Sequence, residues 1–345
     1  MEPSAPPRRV TIVDVAKHAK VSVTAVSKVL RNAYGASPAM QAKVREAMAE
    51  LGYRPHAAAR GLRGQTYTIG VMVPDIYNPF FADIISGLTK QLHGTDYQVL
   101  VGPARHDYDN EALVTEAMID RSMDGLVLIV PTSTPAQLQA TAATVPTVVV
   151  GRHVCAAAYD TVVDNDTAGA ALIVEHLVEL GHRRIAHIEH VERTPALIAS
   201  MPNTIRARGY RQAMQDHGLA AHIDVIASRY TREGGYLGAQ QLLARRPRPT
   251  AIFAGADIAA MGVLEAVAEA GLSVPDDISV AGYDNSVYAT LGPISLTSVD
   301  QSGHQMGNHA GRLLLERVAD RHRPSTLISL SPTLAARRST AAPPA

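Results

Sequence analysis

The sequence predicts an α/β protein in two parts: an N-terminal three-helix helix-turn-helix head, and a body of two doubly wound parallel-sheet subdomains joined to it by a hinge helix. Three observations predict it. The first 64 residues carry 11 Lys/Arg against 4 Asp/Glu, a charge of +7, while the rest carry 21 against 28, a charge of −7, so the net charge of zero hides two different segments. Residues 10–52 show helical spacing of apolar positions and no strand pattern. From Tyr67 onward, short apolar runs alternate with helical stretches punctuated by Gly or Pro, the pattern of βα units.

In the head, a first helix is expected over residues 12–19. A second begins near Ser22, whose hydroxyl can cap free amides, and sets Val26, Val29 and Leu30 on one face. A third opens at Ser37-Pro38, a cap followed by proline at the first helical position, and stops at Gly52 with Val44, Met48 and Leu51 as its apolar stripe. Two helices joined by a tight turn in a basic segment match a helix-turn-helix whose second helix enters the major groove. Val23 then suits a thymine methyl, Thr24 a hydrogen bond or methyl contact, and Lys28 a guanine acceptor or phosphate. Ser22 and Thr11 are better placed for phosphate. A compact basic head on an acidic body is what binding to a phosphate backbone needs, because each neutralised phosphate releases counterions.

Residues 1–9 read as a disordered lead-in, 10–53 as the head and 54–66 as the linker. The linker is rich in alanine and arginine and has no apolar stripe to pack on a core. Gly61 weakens an isolated helix by about 1 kcal/mol relative to alanine, so this segment is expected to order only on DNA.

In the body (67–340), strands are expected at 68–73, 98–101, 125–129, 147–150, 184–188, 251–254 and 278–281. Helices are expected at 79–92, 110–120, 167–180, 205–216, 233–244, 259–270 and 305–319, before a last extended stretch. So many units call for two sheets, with the chain crossing between them near 165 and 298, and with ligands bound where the strand ends meet.

Composition excludes several classes. The apolar runs are too short to cross a bilayer, and no long apolar stretch follows the N-terminal charges, so a cytoplasmic protein is expected. Cys155, the single cysteine, can form no internal disulfide and reads as a small packing residue. No cofactor or metal is expected, and no catalytic residue. The cluster His176, His182, His187, Glu189 and His190 lacks the HExxH order of a metalloprotease, and His182 instead serves the end of the helix closed by Gly181. No GxGxxG follows the first strand and no serine sits in a GxSxG elbow, which disfavours a dehydrogenase or hydrolase.

The run from Val10 to Lys17 (VTIVDVAK) and the run from Val21 to Leu30 (VSVTAVSKVL) carry a family resemblance. So do, in order, Asn78-Pro79-Phe80-Phe81, Asp124-Gly125, Val163-Asp164-Asn165, Gly181-His182-Arg183, Gly282-Tyr283-Asp284-Asn285 and Arg337-Arg338-Ser339. Over essentially its whole length the sequence resembles the lactose repressor family, in particular its purine-repressor-like and sugar-responsive members. The resemblance implies a body like a periplasmic binding protein and a homodimer, or a tetramer, whose two heads read a near-palindromic operator. Ala59 and Leu62 of the paired linkers would reach the minor groove there, Leu62 as a wedge that opens a base step.

For the effector, the resemblance points to Arg206 and Asp284 as a polar clamp, with Phe80, Phe81 and Phe253 lining the pocket; Arg152 and Asn165 follow strand-like runs and are added to the set. It implies repression of a carbohydrate-utilisation operon, relieved by a sugar or sugar derivative. A nucleobase-type co-repressor and a protein co-regulator are the alternatives, although the first body helix offers a protein partner only Lys90. Three features depart from the family. The segment 192–203 is longer than in the purine repressor and leaves Arg193 without a secure counterpart. Gly151 stands where some relatives carry an aspartate, and Gly303 where the lactose repressor has an aromatic.

Overall fold

The computed structural model describes residues 10–30, 36–53, 65–105, 108–191 and 195–344, and the chain divides into two compact units between Thr66 and Tyr67. The expected lead-in, residues 54–64 of the linker with Ala59 and Leu62, and Arg193 lie outside the described residues.

The head consists of α1 (Ile12–His18), α2 (Val23–Leu30) and α3 (Pro38–Glu50). Thr11 caps α1 reciprocally with Asp14: its amide donates to Asp14 Oδ2 at 2.8 Å, and the Asp14 amide donates to Thr11 Oγ1 at 3.4 Å. Ser37 caps α3, whose first residue is Pro38. The turn after α1 passes through Lys20 at φ +53°, and Val21 N–H reaches back to Ala16 O at 3.0 Å. Val15, Ala16, Ala19, Val26, Val29, Val44 and Ala47 fill one small core shared by all three helices.

In the body, the first subdomain is built from β1 (Thr68–Val73), α4 (Pro79–Leu92), β2 (Gln98–Pro103), α5 (Tyr108–Asp120), β3 (Gly125–Ile129), α6 (Pro135–Thr144), β4 (Thr147–Val150) and β5 (Asp160–Asp164). The chain then crosses into the second subdomain for α7 (Asp166–Glu179), β6 (Ile185–His190), α8 (Pro195–Ile198), α9 (Pro202–Asp216), β7 (Asp224–Ser228), α10 (Arg232–Leu243) and β8 (Ala251–Phe253). That subdomain continues with α11 (Asp257–Glu269), β9 (Ser279–Tyr283), α12 (Val287–Thr290) and β10 (Thr297–Asp300). α13 (Gly303–Ala319) and β11 (Leu327–Leu330) return to the first subdomain, and β12 (Thr333–Ala335) lies in the second.

The sheet orders are β11-β5-β4-β3-β1-β2 and β12-β10-β9-β8-β6-β7. Every pairing is parallel except β10 with β12. Both faces of each sheet are covered, as double winding requires. On β1, Val71 and Val73 join one cluster with Leu88 and Leu314, while Met72 between them joins the other with Met118 and Leu138. In each subdomain a helix pair packs backbone to backbone. A Cβ at Gly307 of α13 would lie 1.8 Å from Ile84 O of α4, and one at Gly262 of α11 would lie 1.8 Å from Arg232 O of α10, so both contacts require glycine.

Three expectations are corrected. The chain changes subdomain three times, after Asp164, between β10 and α13, and between β11 and β12, where two crossings were expected. The third was hidden because β12 is three residues long and gains its place from antiparallel pairing, Ser298 opposite Ala335. β5 was not expected as a strand, because DTVVD has two terminal carboxylates, yet all five residues are buried. Its end charges are answered from distant parts of the chain: Arg317 Nε donates to Asp160 Oδ2 at 2.7 Å, and Tyr283 Oη to Asp164 Oδ2 at 2.7 Å. Cys155 is exposed rather than packed.

His182 closes α7 through its amide, which donates to Leu177 O at 2.9 Å. Its buried ring also meets Thr250, Ser279 and the Ala341 carbonyl of the C-terminal tail. Ser339 pins the same tail, its hydroxyl donating to Val280 O at 2.6 Å. Among the described residues, no helix is long and apolar enough to cross a membrane.

Candidate functional site

On α2 the burial pattern divides the helix by role. Val26 and Val29 enter the core, while Val23, Thr24 and Lys28 are exposed together. The hydroxyls proposed for phosphate do local work in this structure: Ser22 Oγ accepts the Ala25 amide at 3.1 Å, and Thr11 Oγ1 donates to Asp14 at 2.6 Å. Both residues remain exposed at helix starts, where free amides favour anions.

The body's candidate site lies at the carboxyl ends of the strands, where loops of the two subdomains meet. Phe80 and Phe81, expected to line the pocket, open α4 after β1 with ring centroids 6.2 Å apart, and both are buried in the core of the first subdomain, 5% and 9% exposed. Gly303 is accounted for by Phe80, whose ring carbon would lie 2.7 Å from a Cβ there, so no aromatic fits at 303. Gly151, after β4, takes φ +75°, a conformation that disfavours the aspartate of some relatives.

Arg152 follows Gly151 and is fully buried. It donates to Pro131 O at 3.0 Å, to Ser133 O, and across the cleft to Ser200 Oγ at 3.2 Å. It ties loops together. Asn165 is an exposed helix cap, its Oδ1 accepting the Ala168 amide at 3.1 Å. Phe253 is buried completely between His187 and Tyr283, with centroid distances of 4.5 and 6.4 Å. Its ring belongs to the core beneath the cleft.

Arg206 is the hub. Its Nε and Nη2 donate to Asp166 Oδ1 at 3.1 and 2.7 Å, its Nη1 donates to Gly255 O, and its guanidinium lies 3.5 Å from the centroid of the Tyr283 ring. Burial pulls its pKa down, but Asp166 and the surrounding acidic groups outweigh burial and hold it above the usual arginine value. Asp166 also meets His153 Nε2 at 2.8 Å, a contact between subdomains. Burial, and then Asp166 beside it, raise Asp164 well above the usual carboxylate range, while Arg206 and the Tyr283 hydroxyl pull it back only in part. His153, Asp164 and Asp166 have the spacing of metal ligands, but the Arg206 guanidinium already supplies the positive charge there.

Asp284 follows β9 at φ +117°. Its Oδ1 accepts from Gln301 Nε2 at 2.6 Å, whereas its Oδ2 is buried with no hydrogen-bond partner. Burial first, then Asp257, raise its pKa well above the ordinary value; Arg206, Gln301 and Asn78 lower it only in part. The Tyr230 hydroxyl, near Arg206, is likewise buried without a partner. The expected clamp of Arg206 and Asp284 is therefore one strongly held cation and one carboxyl oxygen with nothing to bond.

Sequence reasoning named Arg206 and Asp284 but passed over Asp164, Asp166, His153, Tyr230 and Tyr283. Asp164 and Tyr283 stood inside motifs already quoted, and a carboxylate pair directly after a buried apolar run was the available signal.

His187 is wholly buried between Tyr210 and Phe253, and burial lowers its pKa to about 3. A histidine held neutral in the fold contributes stability that is complete above its unfolded pKa, about 6.5, and is lost as pH falls toward the folded value. Between pH 7 and 5 the stability difference between wild type and His187→Phe should shift by about 2 kcal/mol against wild type. Urea melts at the two pH values check this, and a difference that does not change with pH refutes it. Asp257, which burial raises to about 6, titrates in both proteins and cancels.

The comparisons with known proteins agree with this architecture. Residues 11–56 match the model of bacterial regulatory proteins of the lacI family, and residues 174–340 match that of the periplasmic binding protein-like domain. The HTH-type transcriptional repressor PurR of Erwinia tasmaniensis is 34% identical over 336 residues, covering 96% of this chain and 97% of that protein. Among solved structures, the lac repressor dimer bound to operator and the anti-inducer ONPF is 25% identical with a TM-score of 0.79, covering 97% of this chain and 100% of that one. The complex of the transcriptional regulator CelR with cellobiose is 27% identical with a TM-score of 0.69, covering 96% and 100%. With a helix-turn-helix head and a two-subdomain body matched along the whole chain, this protein belongs to the lacI family of bacterial regulatory proteins and is a DNA-binding transcriptional repressor, not an enzyme.

Proposed function

We propose that operator affinity is set by a small molecule held between the subdomains, and that this effector is a flat nitrogen heterocycle of the nucleobase class. The observation that carries the reading is the buried, unpartnered Oδ2 of Asp284 beside Arg206. A buried polar atom left unpaired costs about 1–3 kcal/mol, which a ligand N–H or ring nitrogen would recover. The chain has no tryptophan to stack on a sugar. The likeness to repressors named PurR supports a purine-type ligand. A sugar is the second reading, supported by the cellobiose complex of a similar regulator.

On the DNA side, Val23, Thr24 and Lys28 would read bases, Thr11 and Ser22 would hold phosphates, and Ala59 and Leu62 would enter the minor groove. A second copy of the chain would complete the operator-binding unit. β2 is the open edge of its sheet and exposes Leu100 and Val101, with Leu113 exposed on the following helix. An apolar edge strand of this kind calls for cover.

The test is operator binding by fluorescence anisotropy at fixed salt, using DNA from upstream of this gene with hypoxanthine, guanine, D-ribose and cellobiose. A nucleobase is expected to move the affinity, and Asp284→Ala to weaken that shift roughly tenfold or more. A shift with a sugar alone replaces the first reading by the second, and no shift with any compound favours a protein co-regulator. The direction of the shift reveals which state the ligand prefers.

A further inference from the structure

At the opposite, amino-terminal ends of β6, β7 and β8 the body has a second concavity, of about 230 Å³, lined by Arg184, His222, Ile223, Asp224, Arg245 and Pro249 among others. Two short segments bring five arginines to this edge: Arg183 and Arg184 before β6, and Arg245, Arg246 and Arg248 before β8. Most of them bond to carbonyls rather than to acids. Arg184 Nε donates to Arg248 O at 3.0 Å, Arg183 to Val178 O and His182 O at 3.2 and 3.0 Å, and Arg246 to Leu243 O and Arg245 O at 3.2 and 2.8 Å.

Carbonyl bonds orient a guanidinium without cancelling its charge. Asp224 pairs with Arg245, and Asp277 feels Arg248, which leaves three of the five charges unanswered by these two acids. Arg248 Nε is buried with no hydrogen-bond partner. On the other wall, Ile223 and the buried Pro249 are apolar.

We infer that this cavity binds a small organic phosphate, its phosphoryl group on Arg184 and Arg245 and its organic part against Ile223 and Pro249. Planar guanidinium forks match phosphate oxygens two at a time. Charge decides the class of anion. A carboxylate ligand would only replace Asp224 on Arg245, whereas a phosphate monoester, carrying about −1.5 to −2 at pH 7, adds attraction to Arg184 that Asp224 does not supply. The cavity is smaller than the roughly 300–1,000 Å³ of drug-sized sites, which favours a monosaccharide phosphate over a dinucleotide.

The experiment is a titration of the full-length protein with ribose 5-phosphate, and separately with inorganic phosphate, followed by phosphorus NMR line broadening at fixed ionic strength. Saturable broadening by ribose 5-phosphate is expected, weakened roughly tenfold or more in Arg184→Gln/Arg245→Gln. Both side chains are exposed, so the variant should melt with wild type. If it does not, Arg184→Gln alone carries the test, because the Arg184 Nε bond is to a carbonyl. No saturable broadening in wild type, or equal affinity in the variant, overturns the proposal. Equal affinity for inorganic phosphate and the ester removes the apolar wall from it.

Discussion

Replacing Arg206 by alanine is expected to lower the unfolding free energy of the body by about 3–5 kcal/mol and to remove its response to any cleft ligand. The side chain is 5% exposed, and that of its partner Asp166 is fully buried. Deleting the cation leaves Asp166 next to Asp164 with only His153 opposite it, the arrangement that makes one-sided removal of a buried pair so costly. The Gly255 carbonyl loses its donor, and the Tyr283 ring its stacked cation. Removing both charges, as in Arg206→Met/Asp166→Leu, should recover much of the loss, because the uncompensated charge rather than the absent bond is the main cost. With no tryptophan in the chain, urea melts followed by far-ultraviolet circular dichroism are the suitable measurement. A loss below about 1 kcal/mol, the scale of a surface pair, would show that Arg206 is not the hub assigned to it.

Asp160→Ala should cost a similar amount, about 3–5 kcal/mol, by a different route. Asp160, at the start of β5, accepts from Arg317 Nε at 2.7 Å, from Arg323 Nη1 at 3.0 and 3.1 Å, and from the Thr326 amide at 2.7 Å. One buried carboxylate thus holds α13 and the turn into β11, the segment that returns to the first subdomain after β10. Without it Arg317, only 1% exposed, stays buried with its main acceptor gone. Limited proteolysis should then cut between α13 and β11, while wild type resists there. Unchanged cleavage together with an unchanged urea midpoint would contradict this account.

The legibility of the fold follows the range of the forces involved. β1, β3, β4 and α4 have the bounds expected of them, because apolar runs of four to six residues and the Asn78-Pro79 start are local signals. β5, α8 and β12 escaped for the opposite reason. β5 ends in carboxylates whose partners lie more than a hundred residues away, and the other two are only four and three residues long. α6 was missed because PAQLQATAAT has little amphipathic contrast, although Thr134 and Gln137 form a capping box that could have been read.

The candidate site divides in the same way. Asp284, Phe80 and Phe81 could be named as candidates because they sit in ordered motifs, Arg206 because the family resemblance points to it, and the α2 face of Val23, Thr24 and Lys28 because helical spacing sets which positions share a side. Hydropathy, caps and charge asymmetry thus determined the two-part architecture and the exposed face of α2. Only the tertiary structure decided that Arg206 is held by Asp166, that Asn165 serves as a cap, that Phe253 is core, and that Asp284 keeps an oxygen with nothing to bond. Pairing across a cleft depends on which strand ends the crossings bring together, and a buried charge is stable only where such a partner is delivered.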